Sequence, residues 1–89
     1  MAHVPKQVRL QKTLKEGLRR CVYRRWEAKV EGAVLIMKTT DLERMYRGNT
    51  PYPIGKPKVT RRTYGSPSLA KLALQRAQEL RKAARYRPA

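Results

Sequence analysis

Phenylalanine is absent from this 89-residue chain, and tryptophan, cysteine and histidine occur once each, as Trp26, Cys21 and His3. A single cysteine excludes an intramolecular disulfide, and with one histidine it cannot complete a Cys/His zinc site. The shortage of large aromatics limits the core that so short a chain can bury. No apolar run extends beyond Ala33 to Met37, far short of the roughly 18–20 residues of a membrane helix, so no membrane span is expected. The first residues lack the apolar stretch of a secretory signal, which with the lone Cys21 points to a reducing, intracellular compartment.

Negative charge is the scarcest commodity. Six acidic residues face 22 Lys and Arg, a formal net charge of +16. Residues 1–25 carry eight basic residues against Glu16 alone, residues 47–65 carry five against none, and residues 66–89 carry six against Glu79. Only residues 26–46 are near neutral, with three basic and four acidic side chains. A solvated surface normally mixes signs, so three uncompensated basic segments imply a polyanionic partner, and the near-neutral segment implies contact with protein.

Catalysis finds no support in the residue types. Cys21 has no partner histidine nearby, no glycine-rich phosphate loop or nucleophile elbow occurs, and Glu27 and Glu31 are flanked by Arg24, Arg25 and Lys29 as ion-pair partners. The expectation is a protein that is not an enzyme, with no cofactor, metal or small-molecule substrate.

Leu10, Leu14, Leu18, Val22 and Trp26 recur every four residues, which predicts an amphipathic helix from Gln7 to about Val30. Thr40 and Glu43 have capping-box spacing, predicting a short helix over Asp41 to Arg47 closed by Gly48. Ala33 to Met37 reads as either strand or helix, and as a strand it would pair with a neighbouring protein or with the weak β candidate Lys58 to Thr63. From Gly48 to Gly65, Pro51, Pro53 and Pro57 predict an extended arm, and Ser66-Pro67 announces a C-terminal helix over Ser68 to Arg85. The predicted fold class is mainly α: two or three helices joined by an extended Pro/Gly-rich basic arm, with little independent core. The predicted organisation is residues 1–47 as basic helix, protein-contact segment and short helix, 48–65 as the arm, and 66–89 as a basic helix.

The candidate nucleic-acid contacts follow from this layout. Arg19, Arg20, Arg24 and Arg25 form two guanidinium pairs interleaved with Tyr23 and Trp26, Lys56, Lys58, Arg61 and Arg62 lie on the arm, and Arg85 and Arg87 end the last helix. Leu35, Ile36 and Met37 are the candidate protein interface. In composition and style the chain resembles the small basic accessory proteins of ribosomes, mitochondrial ones above all, although no motif aligns residue by residue. Its first 26 residues, basic and nearly free of acid, share features of a matrix-targeting presequence. The expected function is a structural constituent of a ribosome, mitochondrial before cytoplasmic, binding rRNA and neighbouring ribosomal proteins and not forming a homo-oligomer of its own. A peripheral subunit of a mitochondrial inner-membrane complex and a non-specific DNA-binding protein are the alternatives.

Overall fold

Leu10, Leu14, Leu18, Val22 and Trp26, spaced by fours in the sequence, are all even-numbered, and four residues is two pleats of a strand as well as about one turn of a helix. The computed structural model, which describes residues 7–17, 20–45 and 50–88, resolves this ambiguity in favour of the sheet. The predicted first helix is an antiparallel hairpin, β1 (Gln7–Glu16) and β2 (Arg20–Glu31), followed by β3 (Val34–Met45). The fold is therefore mostly antiparallel sheet with one helix among the described residues, and the mainly α expectation is overturned. Valine, tryptophan and tyrosine in residues 22–30 favour a pleated surface over a helix. The even-numbered set also takes in Val8 and Ala28, two residues from Leu10 and Trp26, which only a period of two predicts.

Gly32 makes the second turn. It sits at φ 59, in the first position of a two-residue loop between the paired Glu31 and Val34. Ala33 keeps a negative φ, the pattern of a type II′ turn that matches the twist of a hairpin. Register follows from it: Val30 pairs with Leu35, Ala28 with Met37 and Trp26 with Thr39, while Leu10 pairs with Trp26 and Val8 with Ala28.

The predicted short helix at Asp41 is the far end of β3. Its capping-box spacing loses to cross-strand packing, because Leu42 pairs with Tyr23 and both are buried. Arg47 and Gly48 lie outside the described residues. The predicted arm also folds: β4 (Tyr52–Pro53) and β5 (Lys58–Thr63) share the outer edge of β3, at opposite ends of it. Pro53 is tolerated because β4 is an edge. After the helix, β6 (Arg87–Pro88) pairs with β1 at Leu10 and Gln11.

The C-terminal helix is present as α1 (Pro67–Ala83), with Pro67 at its first position and Ser66 as N-cap, its hydroxyl accepting from the Leu69 N–H at 3.3 Å. Its alanines let it lie close on one face of the sheet. Ala70 and Leu74 are buried against Val8, Leu10, Trp26, Ala28, Val30 and Leu35, with Ala73, Ala77, Met37 and Tyr64 around them. Trp26, only 1% exposed, is the centre of a core that the sequence reading did not foresee.

Arg85 terminates the helix in an unusual way. The Tyr86 N–H donates to the Arg81 carbonyl at 2.9 Å and the Arg85 N–H to the Lys82 carbonyl at 3.0 Å. This is a Schellman turn, and its left-handed position, normally glycine, is Arg85 at φ 71. Arg85→Gly is expected to stabilise the fold by about 1 kcal/mol, a rise of about 4–8 °C in midpoint for a domain of this size, read by thermal unfolding.

Candidate nucleic-acid interface

The Schellman turn brings the chain back over the sheet and sets Tyr86 beside the last turn of α1. There Arg24, Lys56, Lys58 and Arg81 line a cavity of about 380 Å³ together with Thr39, Ile54 and Tyr86, and Asp41 is the one carboxylate in the lining. Each cation arrives from a different element. Arg24 comes from β2, Lys58 from β5, Lys56 from the segment before it, and Arg81 from the end of the helix.

The single carboxylate is committed. Arg24 Nε donates to Asp41 Oδ1 at 2.9 Å and Nη2 to Oδ2 at 3.4 Å, as the direct pairing of the two residues across β2 and β3 requires. The hydrogen bond to Asp41, and then its charge, raise the Arg24 pKa above its ordinary value. Arg81 is held by stacking: its guanidinium carbon lies 5.3 Å from the Trp26 ring centroid and 5.9 Å from that of Tyr86. Lys12 approaches the Tyr86 ring as well, at 5.8 Å. Lys56 and Lys58 are exposed and make no ion pair among the described residues. The cavity thus presents a pre-positioned Arg, two free ammonium groups and a phenol edge, a donor set suited to phosphate oxygens. The helix C-terminus adds partial negative charge here, which Arg81 and Lys82 in its last turn offset.

The opposite face of the sheet is basic too, but more evenly balanced. A second cavity of about 380 Å³ there is lined by Lys29, Lys38 and Arg61 with Glu27 and Glu31. Both carboxylates are engaged, Glu27 by Arg9 at 3.4 Å and Glu31 by Lys29 at 3.0 Å. Three cations against two acids hold an anion less well than four against one, so the cavity at the end of α1 is the stronger site.

Of the sequence candidates, Arg24, Lys56 and Lys58 converge on this site, and Arg81 and Tyr86, outside the candidate set, join them in its lining. Strand parity divides the others. Arg25 is on the opposite face, donating to Gln11 at 3.4 Å, and Arg20 is engaged with Glu43 at 2.7 Å, among the far-end pairs of β2 and β3. Arg61 lines the second cavity and Arg62 faces the helix side. Arg85 and Arg87 are exposed just past the helix, and Arg19 lies outside the described residues. Leu35 is buried beneath α1, Ile36 is buried on the other face, and Met37 is half-buried. A hint of Arg81 existed in the sequence only as a basic residue in the last turn of a helix; its stacking on Trp26 depends on how the helix crosses the sheet.

No helix among the described residues is long and apolar enough to cross a membrane. Comparison with known proteins finds no matching family model, curated protein or solved structure.

Proposed function

We propose that this protein is a non-catalytic nucleic-acid-binding module that grips phosphates, and that its partner is the structured RNA of a ribonucleoprotein particle, the ribosome foremost. The observation that carries the reading is the meeting of Arg24, Lys56, Lys58 and Arg81 around one cavity with a single, already paired carboxylate. The excess of 22 basic over six acidic residues supports it from the whole chain. Recognition would rest on backbone shape and charge, with Tyr86 available for contact to a sugar or base. The amphipathic pattern that suggested mitochondria is carried by a hairpin, so the compartment enters the test and not the premise.

Trp26, the sole tryptophan, lies under Arg81 and reports on the cavity. Titrating the protein with a 20-nucleotide RNA hairpin, a duplex DNA of equal length and anionic vesicles should change its emission, with the RNA binding tightest and affinity falling steeply with salt. In gradients of whole-cell and mitochondrial lysate, the chain should sediment with a large particle and lose that position after ribonuclease. Preference for duplex DNA would replace RNA by DNA as partner. Binding to vesicles alone, with sedimentation indifferent to ribonuclease, would discard the nucleic-acid reading in favour of a lipid-facing subunit.

A further inference from the structure

We propose that the free edge of β5, with the apolar groove beside it, binds an acidic, extended protein segment as an added strand. Among the described residues Lys58–Thr63 pairs with β3 alone. The Tyr64 N–H donates to the Ala33 carbonyl at 2.8 Å, and ladder alternation carried on from that bond turns the backbones of Arg62, Thr60 and Lys58 toward β3. The N–H and C=O groups of Val59, Arg61 and Thr63 therefore face outward, the row a new strand would pair with.

The helix-side flank of that edge is apolar. A groove of about 360 Å³ runs between β5 and α1, floored by Leu35 and Met37 and walled by Tyr64, Leu69, Leu72 and Leu80. The three helix leucines are 50%, 45% and 67% exposed, a row of large side chains that α1 does not use against the sheet. A strand added to β5 would send every second side chain toward this groove, which accepts apolar residues.

Charge selects the occupant. Arg62 and Arg76 line the groove, no carboxylate does, and Arg61 projects from the same edge toward the opposite face. An acidic segment complements this edge. A second copy, pairing antiparallel about Arg61, would set Arg61 against Arg61 and is opposed by its own charge. Nucleic acid offers neither the alternating row of donors and acceptors nor apolar groups for the leucines. The groove shares no lining residue with the phosphate cavity, so this inference stands independently of the proposed function.

The probe is a fluorescein-labelled octapeptide of alternating Glu and Leu, added to the full chain and followed by polarisation and by amide exchange. In the free protein the amides of Thr60 and Arg62 should be protected and those of Val59, Arg61 and Thr63 should exchange quickly; the peptide should slow the second set. Thr63→Pro removes an outward N–H without touching the β3 ladder and should weaken binding about tenfold, whereas Thr63→Ala should not. Leu72→Asp, at an exposed helix position, should weaken it as well. A peptide of alternating Lys and Leu, or one with its Glu and Leu in blocks, should bind at least about tenfold less tightly. Equal binding by Thr63→Pro and Thr63→Ala, equal binding of the Lys peptide, or slowed exchange of these amides at high protein concentration without peptide would each overturn the proposal.

Discussion

Replacing Lys56 and Lys58 together by alanine is expected to reduce affinity for an RNA hairpin about 25- to 60-fold at 0.1 M salt, and to leave it nearly unchanged close to 1 M. The magnitude comes from counterion release. Each lost phosphate contact removes about 0.7–0.9 from the slope of log affinity against log salt, so two contacts remove about 1.4–1.8. Both lysines are exposed and carry no ion pair among the described residues, so stability should stay within about 0.5 kcal/mol of the parent. The matched control is Lys15→Ala with Lys71→Ala, which removes the same charge from exposed positions outside the cavity. If both double variants lose affinity equally, the protein binds through its diffuse positive field and the cavity has no special part in it. A fall confined to the cavity variant, with the slope reduced by the stated amount, fixes the site.

Trp26→Ala should cost about 3–5 kcal/mol, against a total of about 5–15 kcal/mol for a domain of ordinary stability. Trp26 is 1% exposed and touches both layers: Leu10 across β1, and Leu74 and Ala70 beneath α1 belong to its cluster. Removing the ring empties the largest of the buried side chains through which sheet and helix meet among the described residues. With an unfolding slope of about 2 kcal/mol per molar urea, the midpoint should drop by about 2 M, read by far-ultraviolet circular dichroism since the fluorophore is lost. Trp26→Phe should be milder, because the indole Nε1 is buried without a hydrogen-bond partner among the described residues; phenylalanine gives up some volume but also removes a donor whose burial unpaired costs about 1–3 kcal/mol. A loss below about 1 kcal/mol for Trp26→Ala would mean that the helix does not rest on this residue.

The two substitutions separate what the residues do for the fold from what they do for binding, and Arg81 joins the two. Its guanidinium stacks on Trp26 and Tyr86 while lining the phosphate cavity. Core packing therefore places a binding group, and a weakened core should blunt the cavity's affinity before it unfolds the chain.

The sequence alone carried the charge argument in full. An excess of cations in three segments, one cysteine and no apolar run of membrane length are properties of the chain, whatever its fold. The C-terminal helix was equally legible, because Ser66, Pro67 and a run of good helix formers act locally and need no partner. The first half was not legible as a helix, since Leu10, Leu14, Val22 and Trp26 satisfy a period of two and a turn of helix alike. The additional even-numbered residues Val8 and Ala28, with Gly32 at the turn, were the signals that favoured strands. Residues 58–63 carried only a weak strand signal within an extended arm, because a single edge strand has little pattern of its own; the exposed edge of β3 is what makes it a strand.

What only the tertiary structure decided is which basic residues act together. Parity along β2 sends Arg24 to the helix side and Arg25 to the other, dividing a cluster that reads as one in sequence. The cavity gathers Arg24, Lys56 with Lys58, and Arg81 from positions up to more than 50 residues apart. The reason is physical: charge and local propensity add up along the chain, whereas a binding site depends on register and on how a helix crosses a sheet, and those are fixed only when distant strands pair and the core closes on Trp26.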